Sequence, residues 1–182
     1  MSQFGTMSAG STQRMLESAA DIEGLQRLFD AHLARANPHM RSIVTPARRL
    51  NARQVVRYMT GTRHVALATV TSKGEPRVSP LDSVFIRGRF TLGTAEQATK
   101  IGHLRRNPAC SVVHMDGDRV AVVVNGDAEW IRHDHADHDE VHRVWTETYQ
   151  SDPYSWGDQI VFFRVEPRSM WAYASQPDEF PE

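Results

Sequence analysis

One segment of the sequence carries a lysine and two threonines where a helix is predicted to follow a strand. Residues 94–108 have a helical pattern and come after a strand-like run, Arg89–Gly93. The first turn is poor in carboxylates and includes Lys100, although the N-terminus of a helix is already its positive end. Phosphate oxygens bind well at such ends, because the first backbone N–H groups have no partner within the helix. With hydroxyls from Thr94 and Thr99, the segment indicates an anion site; a solvated surface lysine is the alternative.

A second pattern combines histidines with acidic residues at 133–142. His138 and His142 are four residues apart, so a helix would place both on one face, where Asp134 could join them as a metal ligand. The run has no apolar face before Val141, and alternating acids and histidines are typical of a solvated helix surface. We therefore assign no metal ligands, and a metal at this helix stays an open alternative.

Bulk composition excludes several classes of protein. The chain has 182 residues with 21 Lys plus Arg against 22 Asp plus Glu, whereas a nucleic-acid surface needs a basic excess or stripe. The longest apolar runs, such as 120–124, are far shorter than the roughly 20 residues that cross a bilayer. The single cysteine, Cys110, lies in an apolar run as a core thiol would. We expect a cytoplasmic protein without a signal peptide, binding neither nucleic acid nor membrane.

The N-terminal third is predicted to be helical. Residues 1–12 are small and polar, which predicts a disordered tail. Apolar residues then recur at helical spacing from 13 to 36, as one helix or as two broken near Gly24, and the pattern ends before Asn37–Pro38. Together with a linker to residue 50, this forms a predicted helical arm. A further helix begins after Asn51, a good N-cap residue, and ends near Gly61.

The rest of the chain alternates with a strand period. Turn residues such as Asp116–Asp118 separate the apolar runs, and Pro167 divides the last one into two short strands. The predicted strands are 64–70, 77–86, 89–94, 109–115, 119–131, 159–165 and 169–174, with a helix at 134–148. Six or so antiparallel strands interrupted by helices predict a small closed β-barrel, a mainly β fold with α, because closure removes exposed strand edges. The barrel domain is predicted to span 51–176, followed by an acidic tail, 177–182.

Several segments, taken in order, resemble one family. They are Ala66–Val70, Gly74–Pro80, Phe90–Thr94, Lys100 and Leu104–Pro108. This ordered set resembles the pyridoxamine 5'-phosphate oxidase-like superfamily of FMN-binding split barrels. The resemblance covers about residues 51–174. It implies a six-stranded antiparallel split β-barrel with flanking helices, and a homodimer that holds FMN, or alternatively the deazaflavin coenzyme F420, in a cleft between subunits.

The same resemblance implies roles for individual residues. Thr94 and Lys100 match phosphate-binding positions, with Thr99 beside them. A strand that lies along the isoalloxazine ring and ribityl chain is matched by four residues: Ser79, Pro80, Leu81 and Asp82. Trp171 lies near a C-terminal position where an aromatic side chain often approaches the cofactor. A small-molecule substrate would occupy the open face of the ring.

The sequence also departs from the oxidases of this family. Their Ser-Arg-Lys triplet at the phosphate reads Ala98-Thr99-Lys100 here, and Ser79 replaces an arginine. The C-terminus lacks the Trp and Arg-Leu pattern that holds pyridoxamine phosphate. We therefore expect no vitamin B6 oxidation, and the resemblance implies an FMN-dependent oxidoreductase acting on an unknown small molecule. The alternatives are a deazaflavin-dependent reductase of the same fold and a non-catalytic, flavin- or ligand-binding stress-type protein.

Overall fold

The structure is a computed structural model in which residues 15–157 and 159–182 are described. The predicted disordered tail, 1–12, lies outside this range. Within it, the helices are α1 (Ala19–Arg35), α2 (Pro38–Ile43), α3 (Ala52–Met59), α4 (Thr99–Arg106) and α5 (His138–Tyr149). The strands are β1 (Thr62–Val70), β2 (Pro76–Ile86), β3 (Arg89–Ala95), β4 (Ala109–Asp116), β5 (Val120–Ile131) and β6 (Ile160–Ala174). Short 3-10 turns occur at Pro153–Ser155 and Pro177–Glu179.

The six strands form a closed barrel in the order β1-β2-β3-β6-β5-β4. Every neighbouring pair is antiparallel. This confirms the predicted fold class, a mainly β barrel with flanking helices. Tight turns connect most of the sequential strands, because Gly88 and Gly117 adopt the positive φ that such turns require.

The barrel interior and the N-terminal helices share one apolar core. Alternate strand residues point inward, as in β4, where Cys110, Val112 and His114 are buried. The predicted helical arm packs on its own barrel: α1 and α3 contribute Ile22, Leu25, Phe29, Val55, Val56 and Met59 to the same cluster. The segment predicted as an acidic tail is also packed, since Phe180 is buried in this core.

The N-terminal helices begin where side chains cap them. The helix predicted from residue 13 starts at Ala19, because Ser18 and Asp21 form a capping box, and it continues through Gly24 without a break. Asn51 and Gln54 cap α3 in the same way, as its sequence predicts. The prediction missed α2. Pro38 follows the end of α1, as the sequence predicts, but it also occupies the first turn of a new helix.

The two predicted C-terminal strands are one continuous strand, β6. Pro167 does not end it, because the register between β5 and β6 shifts at Asn125/Gly126, opposite the proline. Such an irregularity accommodates a residue that cannot donate a backbone hydrogen bond. Gly126 is required there, since a Cβ at this position would lie 2.0 Å from the carbonyl oxygen of Glu166.

A second apolar cluster attaches α5 to the outside of the barrel. It contains Val84, Ile86, Ile131, Val141, Val144, Trp145 and Phe162. Since β2, β5 and β6 supply its barrel side, the end of α5 is fixed close to β2. No helix in the described part of the chain has the length and apolarity needed to cross a membrane.

Candidate functional site

Strands β2 and β3 separate part-way along their length. They pair from Ser83↔Leu92 to Ile86↔Arg89. Beyond this point Pro76–Asp82 of β2 continues to pair with β1, and Gly93–Ala95 of β3 continues to pair with β6. The barrel therefore has a gap, with residues 79–82 along one edge and Thr94 along the other. Most of the residues assigned to the cofactor by resemblance lie at these two edges or in α4, which directly follows.

The N-cap residue of α4 supplies no side-chain hydrogen bond to the helix. The helix begins at Thr99, later than the predicted start at 94, because the Ala98 N–H bonds to the Ala95 carbonyl in a turn. Ala98 occupies the N-cap position, and its side chain accepts no hydrogen bond. The nearby acid, Glu96, is ion-paired to Arg105 at the other end of the helix. The first turn of α4 thus keeps its positive partial charge.

Lys100 adds a cation to this turn. Its side chain is half-buried and forms no ion pair with the described residues. The helix is held firmly, because Ile101 and Leu104 are fully buried in the main core and the imidazole Nδ1 of His103 lies 3.0 Å from the Thr69 hydroxyl of β1. A fixed helix terminus with an ammonium beside it has the donor set that suits a phosphate.

The opposite edge of the gap, on β2, presents two different faces. Ser79 pairs with the fully buried Leu67, so Ser79 and Leu81 share the inner face, whereas Pro80 and Asp82 lie on the outer face. Backbone groups of this part of β2 are turned towards the gap on the side away from β1. They are positioned to meet a ligand that enters between the strands.

Asp82 connects β2 to two side chains that the sequence reasoning did not assign to the site. Its Oδ1 lies 2.6 Å from Nδ1 of His64 on β1, and its Oδ2 accepts a hydrogen bond of 2.6 Å from the Tyr149 hydroxyl of α5. Burial raises the pKa of Tyr149 well above its usual range, and the neighbouring Asp82 carboxylate raises it further. The phenol therefore stays protonated and remains a hydrogen-bond donor. The turn around Gly74 fixes the register of β1 against β2. Pairing the two strands residue by residue from this turn predicts that His64 lies opposite Asp82.

Trp171 is not brought to the gap within one chain. It lies on the outer face of β6, with its ring stacked on His32 of α1 at 6.2 Å between centroids. It also lines a cavity of about 320 Å³ between α1, α3 and β6. A row of paired residues on the side of the barrel away from β3 places it four strands from β2: Pro80, Ala66, Val113, Val123 and Trp171. That corresponds to roughly 15–20 Å across a curved sheet. Through β3 the strand β6 is nearer to β2, but β3 pairs only with Ile160–Arg164, well before Trp171.

The histidines of α5 are engaged by neighbouring side chains. Nε2 of the buried His138 lies 2.8 Å from the Tyr154 hydroxyl, and Nε2 of His142 lies 2.9 Å from the Asp152 carboxylate. In the described residues, no three His, Cys, Asp or Glu side chains are arranged to hold a metal ion. The predicted helix begins at His138, later than residue 134, so Asp134 precedes it.

Two buried groups inside the barrel are unsuited to catalysis. Burial raises the pKa of the Cys110 thiol to about 12, so it carries almost no thiolate at neutral pH. Burial also lowers the pKa of His114, whose ring nitrogens lie 2.9 Å from the Tyr58 hydroxyl and 2.9 Å from the His64 carbonyl. Both imidazole nitrogens are therefore occupied within the fold.

The family of the chain follows from its sequence. Residues 52–173 match the family described as pyridoxamine 5'-phosphate oxidase. The chain belongs to this family. The matched region begins at the start of α3 and reaches almost to the end of β6, so it contains the whole barrel, the gap and α4. Helices α1 and α2 lie outside it.

Solved structures show how widely this barrel is used. A conserved hypothetical protein of Mycobacterium tuberculosis is 20% identical with a TM-score of 0.62, covering 76% of this chain and 93% of that one. A FAD-binding protein of Mesorhizobium loti is 24% identical with a TM-score of 0.56, covering 70% and 96%. The haem storage protein HutZ of Vibrio cholerae is 20% identical with a TM-score of 0.54, covering 61% and 86%.

These similarities establish the fold and not the ligand, since similar barrels occur in a FAD-binding protein and in a haem storage protein. No curated protein gives a significant sequence match. The side chains of this protein itself determine what it binds.

Proposed function

We propose that this protein is an FMN-dependent oxidoreductase that acts on a small molecule as a cytoplasmic homodimer. The observation that carries the proposal is the N-terminus of α4, which has no side-chain hydrogen bond from its N-cap residue and is accompanied by Lys100, at a gap in the barrel. A flavin mononucleotide has the phosphate for this terminus and a long planar body for the gap. Membership of the pyridoxamine 5'-phosphate oxidase family supports a flavin-type cofactor.

Each edge of the gap has a separate role in this proposal. Lys100, the first N–H groups of α4 and the hydroxyls of Thr94 and Thr99 bind the phosphate. The backbone of residues 79–82 lies beside the ring system, and its N–H groups, of which Pro80 has none, donate to the polar edge of the ring. The bound flavin supplies hydride or electron transfer, while the protein orients it and excludes water.

An apolar outer face supports the homodimer. The row from Pro80 to Trp171 contains Ala66, Val113 and Val123 between them, and two further apolar residues beside this row, Val78 and Met115, are 68% and 62% exposed. Contiguous exposed apolar surface of this kind is typical of a protein interface. A second copy related by a two-fold axis would bring its own Trp171 towards the first copy's β2, where an aromatic residue could approach the cofactor.

Two residues favour an alternative. Thr99 and Ser79 stand where the family's oxidases have arginines around the phosphate, and each missing charge-assisted bond is worth about 1.5–3 kcal/mol. Weaker phosphate binding suits a non-catalytic, ligand-binding stress-type protein, while the deazaflavin coenzyme F420 stays the alternative cofactor of the enzyme. Oxidation of pyridoxamine phosphate is not part of the proposal.

Titration with FMN tests the proposed function. The purified protein is titrated with FMN, and in parallel with F420, while flavin absorbance and fluorescence are recorded. Micromolar FMN binding supports the proposal. Saturation by F420 alone supports the deazaflavin alternative. Binding of neither below millimolar concentration overturns the oxidoreductase and favours the non-catalytic alternative.

A further inference from the structure

Three polar side chains from three elements form a chain at the β2 edge of the gap. His64 of β1 contacts Oδ1 of Asp82 on β2, and Tyr149 of α5 donates to Oδ2 of the same carboxylate, both at 2.6 Å. The His64 side chain is 91% exposed. The carboxylate therefore lies between an exposed imidazole and a half-buried phenol.

This arrangement fixes one nitrogen of His64 and leaves the other for a ligand. A carboxylate at Nδ1 holds the N–H there and sets the ring orientation, as it does where histidines act as bases or as ligands. Nε2 forms no hydrogen bond with the described residues, because the contact of His64 runs through Nδ1. An oriented imidazole with an accessible Nε2 can give or take a proton.

The pair of His64 and Asp82 is held more firmly than an ordinary surface ion pair. Exposed pairs contribute little to stability and are often mobile. Here the second oxygen of Asp82 is fixed by Tyr149, whose ring stacks on the buried Trp145 at 5.4 Å between centroids. Because Trp145 belongs to the core cluster under α5, the orientation of His64 is tied to the packing of that helix.

His64 lies next to the β2 edge of the gap, on the outer face of the sheet. Asp82 is the last residue of β2 before the strand pairs with β3, and His64 lies opposite it on the outer face. The titratable groups that interact with His64 are Asp82 of β2 and His114 of β4, with Tyr149 of α5 behind Asp82. A substrate on the open face of the flavin would be close to this imidazole.

We propose that His64 is the proton donor and acceptor of this site, with Asp82 and Tyr149 as its positioning residues. This inference rests on the proposed function. It assigns the substrate to compounds with a polarised double bond ending in oxygen, such as quinones. The reduced cofactor, when bound, would supply a hydride with its two electrons to the substrate and would itself be oxidised. The substrate's oxygen then forms a bond to the proton released from Nε2 of His64, and water reprotonates the imidazole.

Two acceptors separate proton transfer from electron transfer. Menadione takes up two electrons and protons, whereas ferricyanide takes up single electrons and no proton. Holoprotein reduced with dithionite is mixed with each acceptor, and reoxidation of the flavin is followed by stopped flow. The variants are His64→Gln and Tyr149→Phe, with His39→Gln on the exposed part of α2 as the matched control.

We expect His64→Gln to slow menadione reduction about tenfold. This lies below the hundredfold or more of many general acids, because a reduced quinone tolerates a transient negative charge. The ferricyanide rate and the FMN affinity are expected to stay at wild-type values. Tyr149→Phe is expected to give a smaller loss with menadione only, and His39→Gln no loss.

A second readout needs no turnover. Diethylpyrocarbonate modifies accessible imidazoles, and peptide mass spectrometry reports each histidine separately. FMN is expected to slow modification of His64 several-fold and to leave His39 unaffected.

The outcomes distinguish the two proposals. If FMN binds but neither the menadione rate of His64→Gln nor the modification of His64 changes, His64 is not the proton donor and the flavin assignment stands. Equal loss with both acceptors would make His64 a structural residue and would also overturn the inference. Absence of FMN binding by the wild-type protein rejects the proposed function itself, and the inference with it.

Discussion

Lys100 and Lys73 are the two lysines of a chain that otherwise uses arginine for its positive charge. Lys73 is exposed in the turn between β1 and β2, whereas Lys100 is half-buried in the first turn of α4. A helix N-terminus repels a cation, so Lys100 is placed unfavourably unless an anion binds there. The two residues therefore form a natural pair for comparison.

Replacement of Lys100 by alanine is expected to weaken FMN binding about tenfold, because one charge-assisted contact to the phosphate is lost. The measurement is the dissociation constant from fluorescence titration, at low and high salt. Lys73→Ala should bind as the wild type does. Equal affinity for Lys100→Ala and wild type would remove Lys100 from the site.

At the scale of elements, the start of α5 is held to the barrel by an ion-pair network. Arg164 of β6 contacts the carboxylates of Asp137 and Glu129, each at 2.6 Å. Arg87, in the turn between β2 and β3, contacts the other oxygen of Asp137 at 2.6 Å. This network fixes one end of the helix whose other end carries Tyr149.

The network predicts a specific loss of stability in acid. Burial opposes ionisation of Asp137, but the hydrogen bond from Arg164 and the charges of Arg87 and Arg164 outweigh it and lower its pKa. A group with a lowered pKa stabilises the fold above its unfolded value, about 3.8 here, and this stabilisation disappears as the pH falls through the folded value. Asp137→Asn should therefore lower Tm at pH 7 by roughly 2–8 °C.

The difference in Tm between Asp137→Asn and wild type should begin to narrow below about pH 4, where the unfolded wild type takes up a proton at this position, and should vanish only below the lowered folded pKa of Asp137. Differential scanning fluorimetry from pH 3 to 7 measures it. Asp118→Asn, in the exposed turn between β4 and β5, should differ little from wild type at any pH. A constant Asp137→Asn difference across this range would contradict the role of the ion pairs.

At the scale of the whole molecule, the apolar outer face of the sheet begins at the β2 edge of the gap. Val113 lies in the middle of the apolar row that runs from β2 to β6. Pro80 of the β2 edge and Trp171 are at opposite ends of this row. In the proposed dimer a second chain would bring its Trp171 towards the β2 edge, so we expect the proposed site to be complete only in the dimer.

Val113→Asp is expected to convert the proposed dimer into a folded monomer, because a carboxylate in a dry interface loses its hydration. FMN affinity should fall with it, since part of the site comes from the second chain. Light scattering gives the mass and circular dichroism shows whether the barrel is intact. Ile43→Asp, at a 38% exposed position on α2, serves as the control; a monomeric wild-type protein would contradict the homodimer.

Sequence patterns determined the parts of this protein that depend on nearby residues. The cap at Asn51 and the turn at Gly117 were predicted correctly because their chemistry acts over three or four residues. The strand-like alternation of apolar and polar residues predicted the strands, and their number and short turns predicted the barrel and its mainly β class. The sequence also placed Lys100 at the start of a helix, and resemblance to a family named the residues at both edges of the gap.

Only the tertiary structure shows how far each strand pairs and which side chains contact each other across the barrel. The separation of β2 from β3 after Ser83 and the Asp82 contact with Tyr149 join residues far apart in the chain. The continuity of β6 through Pro167 depends on Gly126 in another strand. Such features follow from register and packing across the whole barrel, because a residue's neighbour in the next strand is set by contacts that no short window of sequence contains.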